Sequence, residues 1–130
     1  MVEFEFLTKT IEEITGITKE ELISKRRTKA LVELRMIGSV LMKENYMNMT
    51  VEKIGSLFNV DHSSVSHYTK THKDLMLQRD GKYKSMYEKI NRSYSQSILM
   101  YGTPRLAILE KKKKLEIMLE DINNTLQNPE

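Results

Sequence analysis

The chain has 130 residues, of which 30% are charged, and its formal net charge at pH 7 is +3. This length suits one domain, or one domain with an extension, and the small positive excess favours an acidic partner without requiring one. The absence of cysteine excludes disulfides and thiolate metal sites. No apolar run approaches the roughly 18 residues that a membrane-spanning helix needs, and the acidic N-terminus is unlike a signal peptide. We therefore expect a cytoplasmic protein that binds no membrane.

Helical spacing and capping signals predict three helices in the first part of the chain. Apolar residues recur at steps of three and four over 4–14, and Gly16 ends this first helix. Thr18 and Glu21 form a capping-box pattern, which predicts that a short second helix begins there. A third helix is predicted over 30–44, where no proline interrupts the apolar pattern.

A helix-turn-helix pattern follows. Thr50 is a suitable cap for a fourth helix. After a two-residue turn, Asp61 can cap a fifth helix, whose apolar face includes Val65 and Met76. Two helices joined by a tight turn are typical of a helix-turn-helix motif. The basic stretch "SKRRTK", residues 24–29, lies between the second and third helices.

Beyond residue 75 the sequence predicts a helical extension, and since no strand-like alternation persists anywhere, the whole chain is predicted to be all-α. Aromatic and aliphatic residues recur in the extension at helical spacing: Tyr83, Tyr87, Ile90, Tyr94, Ile98 and Tyr101. The extension either folds as a hairpin, in which this tyrosine stripe packs on the last helix, or self-associates as a homodimer through 105–126. The hairpin is favoured because the apolar positions of the last helix do not keep a heptad over three repeats.

The sequence contains no arrangement of residues that an enzyme would need. His62, His67 and His72 are spaced by five, so on a helix they point in different directions and lack the i, i+4 pairing of a helical zinc site. Adjacent serines on a helix cannot supply the oriented base and oxyanion hole of nucleophilic catalysis. The pattern GxxxxGK[ST] of a phosphate-binding loop is absent. We therefore predict no enzymatic activity, no metal, no cofactor and no nucleotide.

The start of the fifth predicted helix carries side chains that are suited to reading DNA, because the same part of a helix-turn-helix meets base edges in the major groove. Asp61 can accept from a cytosine amino group. His62, Ser63 and Ser64 can bond bases or phosphates. The plainer interpretation is that Asp61 only caps the helix while the serines face water. The basic loop 24–29 favours the DNA interpretation, since such a loop can follow phosphates or insert an arginine into a minor groove.

Three motifs occur in the order of a known family: the "SKRR" loop, the "IG-x-x-F" helix at 54–58 and the "D-H-S-S-V-x-H" signature at 61–67. Over residues 5–75 the chain resembles the C-terminal DNA-binding domain, domain IV, of the bacterial replication initiator DnaA. The resemblance implies a helix-turn-helix bundle over 1–75 with a helical extension over 76–130. It also implies a bacterial, nucleoid-associated protein.

The resemblance implies roles for individual residues. Arg27 would enter the minor groove, while residues 61–64 would read the major groove of a DnaA-box-like site. Lysines of the loop and the third helix would lie near the DNA backbone. The complete set expected to bind DNA is Lys25, Arg26, Arg27, Lys29, Lys43, Thr50, Asp61, His62, Ser63, Ser64 and Ser66. His67 is expected to be packed within the protein.

The chain departs from the family pattern near the expected reading surface. Ser63 and Ser64 stand where the family usually has threonines, so methyl contacts to thymine would be lost. Val60 replaces a longer turn that often contains glycine. Glu33 and Leu34 stand where a basic residue and a proline are frequent. These departures bear on the DNA sequence that is read and on the affinity.

These observations predict a stand-alone, sequence-preferring protein that binds double-stranded DNA at DnaA-box-like sites and regulates replication initiation or transcription without ATPase activity. A small accessory protein of a phage or mobile element would suit this architecture. The alternative is a protein-interaction module whose helical extension binds a replication or virion partner. The basic loop favours DNA binding, because an interaction module has little need to retain Arg27 together with Asp61 and His62.

Overall fold

The computed structural model describes residues 2–46, 48–101 and 104–127, with the side chains of 3–46, 48–98 and 111–126. These ranges contain seven helices and no strand, which confirms the all-α prediction. The helices are α1 (Val2–Thr15), α2 (Lys19–Leu22), α3 (Lys29–Asn45), α4 (Val51–Phe58), α5 (His62–Met76), α6 (Lys82–Tyr101) and α7 (Pro104–Gln127). Over the described residues, none of these helices combines the length and the apolarity needed to cross a membrane.

The predicted capping residues define where the helices begin and end. The Oγ1 atom of Thr18 accepts a hydrogen bond from the backbone N–H of Glu21 at 3.2 Å. Thr50 accepts from the N–H of Lys53 in the same way, at 3.1 Å. These bonds satisfy N–H groups that have no partner within their own helix. After α1, Gly16 has a φ of 79°, a left-handed conformation that glycine adopts without steric cost.

One apolar cluster joins α1, α3, α4 and α5. Its most deeply buried side chains come from all four helices: Leu7, Ile11, Ile37, Leu41, Ile54, Phe58 and Val65. Gly38 of α3 allows α4 to approach closely, since a Cβ atom at this position would lie 2.6 Å from Cζ of Phe58. The helix-turn-helix formed by α4 and α5 therefore rests on α1 and α3.

The tyrosine stripe of α6 packs into this same cluster. Tyr83, Tyr87, Ile90 and Tyr94 are all buried there, and the ring of Tyr94 lies 6.0 Å from that of Phe6 in α1. These four residues thus pack on the core and not on the last helix, while Tyr101 lies outside the residues whose side chains the structure describes. The physical reason is that α6 contacts α1, α3 and α5, whose buried residues belong to the same apolar cluster.

Hydroxyl groups fix the orientation of α6 on this core. The hydroxyl of Tyr87 donates to both carboxylate oxygens of Glu44, at 2.8 and 3.0 Å. Tyr83 is hydrogen-bonded through its hydroxyl to Nδ1 of His72 in α5, at 2.6 Å. Burial lowers the pKa of His72, and the nearby Glu44 carboxylate partly opposes this effect. Since burial raises the pKa of Tyr83 and Tyr87 well above the ordinary value, both hydroxyls remain protonated at neutral pH.

The last helix has a different environment. Every side chain of α7 from 111 to 126 is exposed, including the apolar ones, although the backbone of α7 approaches α1 and α6. The sequence "GTP" at 102–104 is a turn signal, but residues 102 and 103 and the side chains of 99–110 lie outside the described part of the structure. The predicted boundary at residue 75, between a DNA-binding domain and an extension, stays a prediction. The core that the first five helices form also contains side chains of α6, which lies beyond this boundary.

Replacement of Ile90 by alanine tests whether α6 belongs to the core. Ile90 is completely buried, so Ile90→Ala should lower the free energy of unfolding by about 2–5 kcal/mol. Its neighbour Lys89 is exposed, and Lys89→Ala should change the same quantity by no more than about 0.5 kcal/mol. Urea unfolding of the full chain measures both values. Equal, small effects of the two substitutions would contradict the packing of α6 on the core.

Candidate nucleic-acid interface

The basic loop connects α2 to α3 and exposes its cations. The side chains of Lys25, Arg26 and Arg27 are all exposed, as is that of Lys29 at the start of α3. Among the described residues, none of these four forms an ion pair with an acidic side chain. Because no internal carboxylate neutralises them, their charges are available to an anionic partner.

A buried arginine holds this loop in place. Arg35 of α3 is 2% exposed, and it donates through Nε to the carbonyl oxygen of Leu22 at 2.6 Å. Its two terminal nitrogens donate to the carbonyls of Ser24 and Arg26, each at 2.7 Å. Burial lowers the pKa of Arg35, and the positive charge of Arg27 acts in the same direction. One guanidinium thus binds three carbonyls of the segment that carries the exposed cations.

The turn between α4 and α5 is closed by a backbone hydrogen bond and a left-handed residue. The N–H of Val60 donates to the carbonyl of Gly55 at 2.9 Å, while Asn59 has a φ of 59°, which asparagine tolerates better than most residues. The turn passes very close to α4, since a Cβ atom on Gly55 would lie 2.7 Å from the carbonyl oxygen of Val60. Asn59 also donates through Nδ2 to the carbonyl of Ile23, at 3.1 Å. The turn is therefore attached to the start of the basic loop.

The tip of α5 is capped and remains exposed. Asp61 accepts a bond of 3.4 Å from the N–H of Ser63 through Oδ1, which is long for such a bond. The same oxygen lies 3.0 Å from Nδ1 of His62. Asp61, His62 and Ser63 are exposed, and Ser64 is partly exposed. Capping leaves these side chains at the surface, where they are accessible to a ligand.

The basic loop and the tip of α5 line the same depression. Its volume is about 860 Å³. The lining residues come from the loop, α3, α4, the turn and α5: Ser24, Lys25, Arg27, Val32, Arg35, Glu52, Gly55, Ser56, Asn59, Val60, Asp61, His62, Ser64 and Tyr68. The arginine-bearing loop and the tip of α5 thus face the same side of the molecule.

The residues expected from the sequence to bind DNA divide into two groups. Five of them line the depression: Lys25, Arg27, Asp61, His62 and Ser64. Six lie outside it: Arg26, Lys29, Lys43, Thr50, Ser63 and Ser66. All of these six are exposed. Thr50 already uses its hydroxyl oxygen as the cap of α4, and Lys43 lies in the last turn of α3.

Two residues that position the site were missed by the sequence interpretation. Arg35 and Asn59 connect the basic loop to α3 and to the turn. An arginine among the apolar positions of a helix is a signal that could have identified the first, because a buried guanidinium needs several acceptors. The expectation that His67 is packed is wrong. His67 is exposed and bonds to Thr71 one turn along α5, at 3.2 Å, because its side of the helix faces away from the core.

The all-α fold and the exposed face shared by a basic loop and a recognition helix define a protein of the DNA-binding helix-turn-helix class. The family described as "Bacterial dnaA protein helix-turn-helix" matches residues 4–71. The chain belongs to this family, whose members bind double-stranded DNA.

Two curated relatives are chromosomal replication initiator proteins named DnaA. The chain is 32% identical over 95 residues to that of Pseudothermotoga lettingae, a match that covers 73% of this chain and 21% of the relative. It is 29% identical over 84 residues to the DnaA protein of Thermotoga petrophila, a match that covers 65% of this chain and 19% of the relative. The chain thus spans about a fifth of the length of these relatives. No solved structure matches the chain.

Metal-binding potential is limited in the parts of the chain that the structure describes. Within those residues, no three histidine, aspartate or glutamate side chains come together in a way that could hold a metal ion. His62 lies beside Asp61 at the start of α5, whereas His72, ten residues further along the helix, is hydrogen-bonded to Tyr83 of α6. The histidines of α5 therefore have separate environments.

Substitution of Arg35 by lysine tests the loop attachment. Lysine keeps the charge but cannot reach three carbonyls in fixed geometry. We expect Arg35→Lys to lower the free energy of unfolding by about 2–4 kcal/mol, since a hydrogen bond to a charged group contributes about 1.5–3 kcal/mol. Arg26→Lys, in the exposed part of the loop, should change it by less than about 0.5 kcal/mol. Chemical denaturation compares the two, and an unaffected Arg35→Lys protein would show that these bonds do not stabilise the loop.

Proposed function

We propose that this chain is a sequence-preferring protein that binds double-stranded DNA at DnaA-box-like sites. The observation that carries the proposal is the shared depression, in which Arg27 of the basic loop and Asp61, His62 and Ser64 of α5 face one side. A single duplex can contact both elements only if they share a side. This geometry supports one continuous protein surface that contacts both the major and the minor groove of the DNA.

Each element is assigned to one groove. The tip of α5 enters the major groove, where Asp61 accepts from a cytosine amino group and His62 and Ser64 bond to base edges or phosphates. Arg27 enters the adjacent minor groove, whose negative potential attracts an inserted arginine. The exposed cations outside the depression contact phosphates, which adds affinity without sequence information.

The serines of α5 modify what is read. Ser63 and Ser64 retain the hydroxyl of a threonine but lack its methyl group, so they bond to polar edges without packing on a thymine methyl. We therefore propose that the chain prefers a site related to the DnaA box, with weaker discrimination at the thymines that a threonine would contact.

The biological consequence is regulation of replication initiation or transcription at such sites, by occupying them or by competing for them. This role includes no ATPase activity, because none of its steps needs a nucleotide. A protein-interaction module remains the second candidate. The observation that favours it is the exposed apolar face of α7, which DNA binding leaves unused.

Selection of bound duplexes from a random DNA pool tests the proposed function. The full chain should enrich one DnaA-box-like sequence, because base contacts by α5 and Arg27 favour it over the rest of the pool. If the protein retains DNA in a salt-dependent way but the recovered sequences stay random, the binding is due to charge alone. That result would contradict sequence preference, and failure to retain any DNA would contradict the function altogether.

Replacement of Arg27 separates sequence reading from simple charge attraction. Arg27→Ala should reduce the preference for the selected duplex over a random duplex by about 1–3 kcal/mol, as expected for one specific contact. Lys43→Ala removes an exposed cation outside the depression, so it should weaken binding to both duplexes alike. The slope of the logarithm of the binding constant against the logarithm of salt concentration should become smaller by about one. Binding titrations at several salt concentrations measure both effects. An equal loss on the two duplexes with Arg27→Ala would reassign this residue to phosphate contact.

A further inference from the structure

The last helix carries an apolar stripe that is uncovered in the described part of the chain. Between 111 and 126 all side chains are exposed. The apolar members of the stripe are Leu115, Met118, Leu119, Ile122 and Leu126, with exposed fractions between 53% and 73%. A contiguous set of exposed apolar side chains marks an interaction surface, whereas scattered ones do not.

The spacing of this stripe is that of a helix-pairing seam. Leu115, Leu119, Ile122 and Leu126 follow one another at steps of four, three and four, which is the a/d pattern of paired helices. Ile117 is exposed to a similar degree but lies on the opposite side of the helix, since two residues rotate the helix by more than half a turn.

The energetics of α7 also favour a partner. Most of the stability of a helix in a protein comes from packing of its apolar face, and isolated helices are marginal in water. α7 has 24 residues, yet its C-terminal two thirds bury none of their side chains in the described structure. The tyrosine face of α6 is already packed on the core, so it does not provide the missing surface.

The charges of α7 indicate what the partner is. Four lysines occupy 111–114, and Glu116, Glu120 and Asp121 follow toward the C-terminus. The first half of the exposed segment is therefore basic and the second half is acidic. An antiparallel copy of the same helix has the complementary order of charges, whereas a parallel copy places the two lysine runs side by side.

We propose that α7 forms an antiparallel pair with α7 of a second copy of this chain. In the register that aligns the apolar residues of the two helices, Leu115 of one copy faces Leu119 of the second copy. Lys112 then lies over Ile122, which its aliphatic stem can cover while the ammonium group stays in water. Lys114 and Lys113 lie level with Glu120 and Asp121 of the other copy, on the outer sides of the two helices, so these charges favour the antiparallel direction without forming direct ion pairs.

This interface is small. Residues 111–126 extend over about 24 Å at 1.5 Å per residue, so two such helices bury less surface than the roughly 800 Å² per partner of a standard interface. The pair therefore forms and dissociates within an accessible range of protein concentration. Dimerisation does not depend on the proposed DNA binding, and each can fail without the other.

Sedimentation of the full chain over a wide range of concentration tests the pairing. The wild-type protein should change from a monomer to a dimer as its concentration rises. Leu119→Glu places a carboxylate in the centre of the seam and should give one chain throughout. Ile117→Glu, the matched control on the opposite side of α7, should associate like the wild type. Far-UV circular dichroism confirms that the core helices are retained in both variants.

Several results would overturn the proposal. A wild-type protein that stays monomeric at every concentration would assign the stripe to a different protein, to DNA or to the chain itself. Equal weakening by Leu119→Glu and Ile117→Glu would show that the seam is not the contact.

The orientation is tested with introduced cysteines, which are unambiguous because the chain has none. In the antiparallel register the two copies of residue 118 flank the centre of the seam side by side, so Met118→Cys should form an intermolecular disulfide under mild oxidation. In a parallel pair the two copies of residue 119 face each other instead, and Leu119→Cys would cross-link efficiently. Cross-linking of Leu119→Cys without Met118→Cys would overturn the antiparallel arrangement.

Discussion

The candidate interface depends on one buried charge. Arg35 leaves water to bind three loop carbonyls, and a guanidinium is suited to this because its donors lie in one rigid plane. A loop with several adjacent cations repels itself and has little apolar surface to bury. Without an internal ligand it would sample many conformations, and each ordered residue costs about 1–2 kcal/mol of backbone entropy. Arg35 offsets part of this cost, while the exposed cations form no ion pair within the described part of the chain.

A second attachment relates the loop to the recognition helix. Asn59 is the left-handed residue of the helix-turn-helix turn, and its side chain binds the carbonyl of Ile23 immediately before the loop. The residue that sets the angle between α4 and α5 thus also contacts the segment that carries Arg27. The loop and the tip of α5, which are distant in sequence, are thus attached to each other, and in the proposed binding to one duplex little further ordering of either would be needed. Preorganisation of this kind strengthens binding without adding contacts.

Local features of the fold were predictable from the sequence, and long-range ones were not. Caps such as Thr18, Thr50 and Asp61 act within a few residues, so a short pattern identifies them. The side-by-side position of the loop and the tip of α5 was expected from a family resemblance. The role of Arg35 was not, because a charged residue in a helix is usually exposed, and its place among apolar positions does not identify the three carbonyls that it binds.

The two helices of the extension, α6 and α7, also show that long-range packing is hard to predict from the sequence. Both are amphipathic, and the sequence does not determine whether such helices pair with each other or with something else. The structure distinguishes them by their polar groups. Three tyrosines of α6 are hydrogen-bonded through their hydroxyls at the edge of the core: Tyr83 to His72, Tyr87 to Glu44 and Tyr94 to Tyr46. This face therefore fits a boundary between apolar and polar surroundings. The stripe of α7 consists of Leu, Met and Ile without such groups, and these side chains gain most when a similarly apolar surface covers them completely.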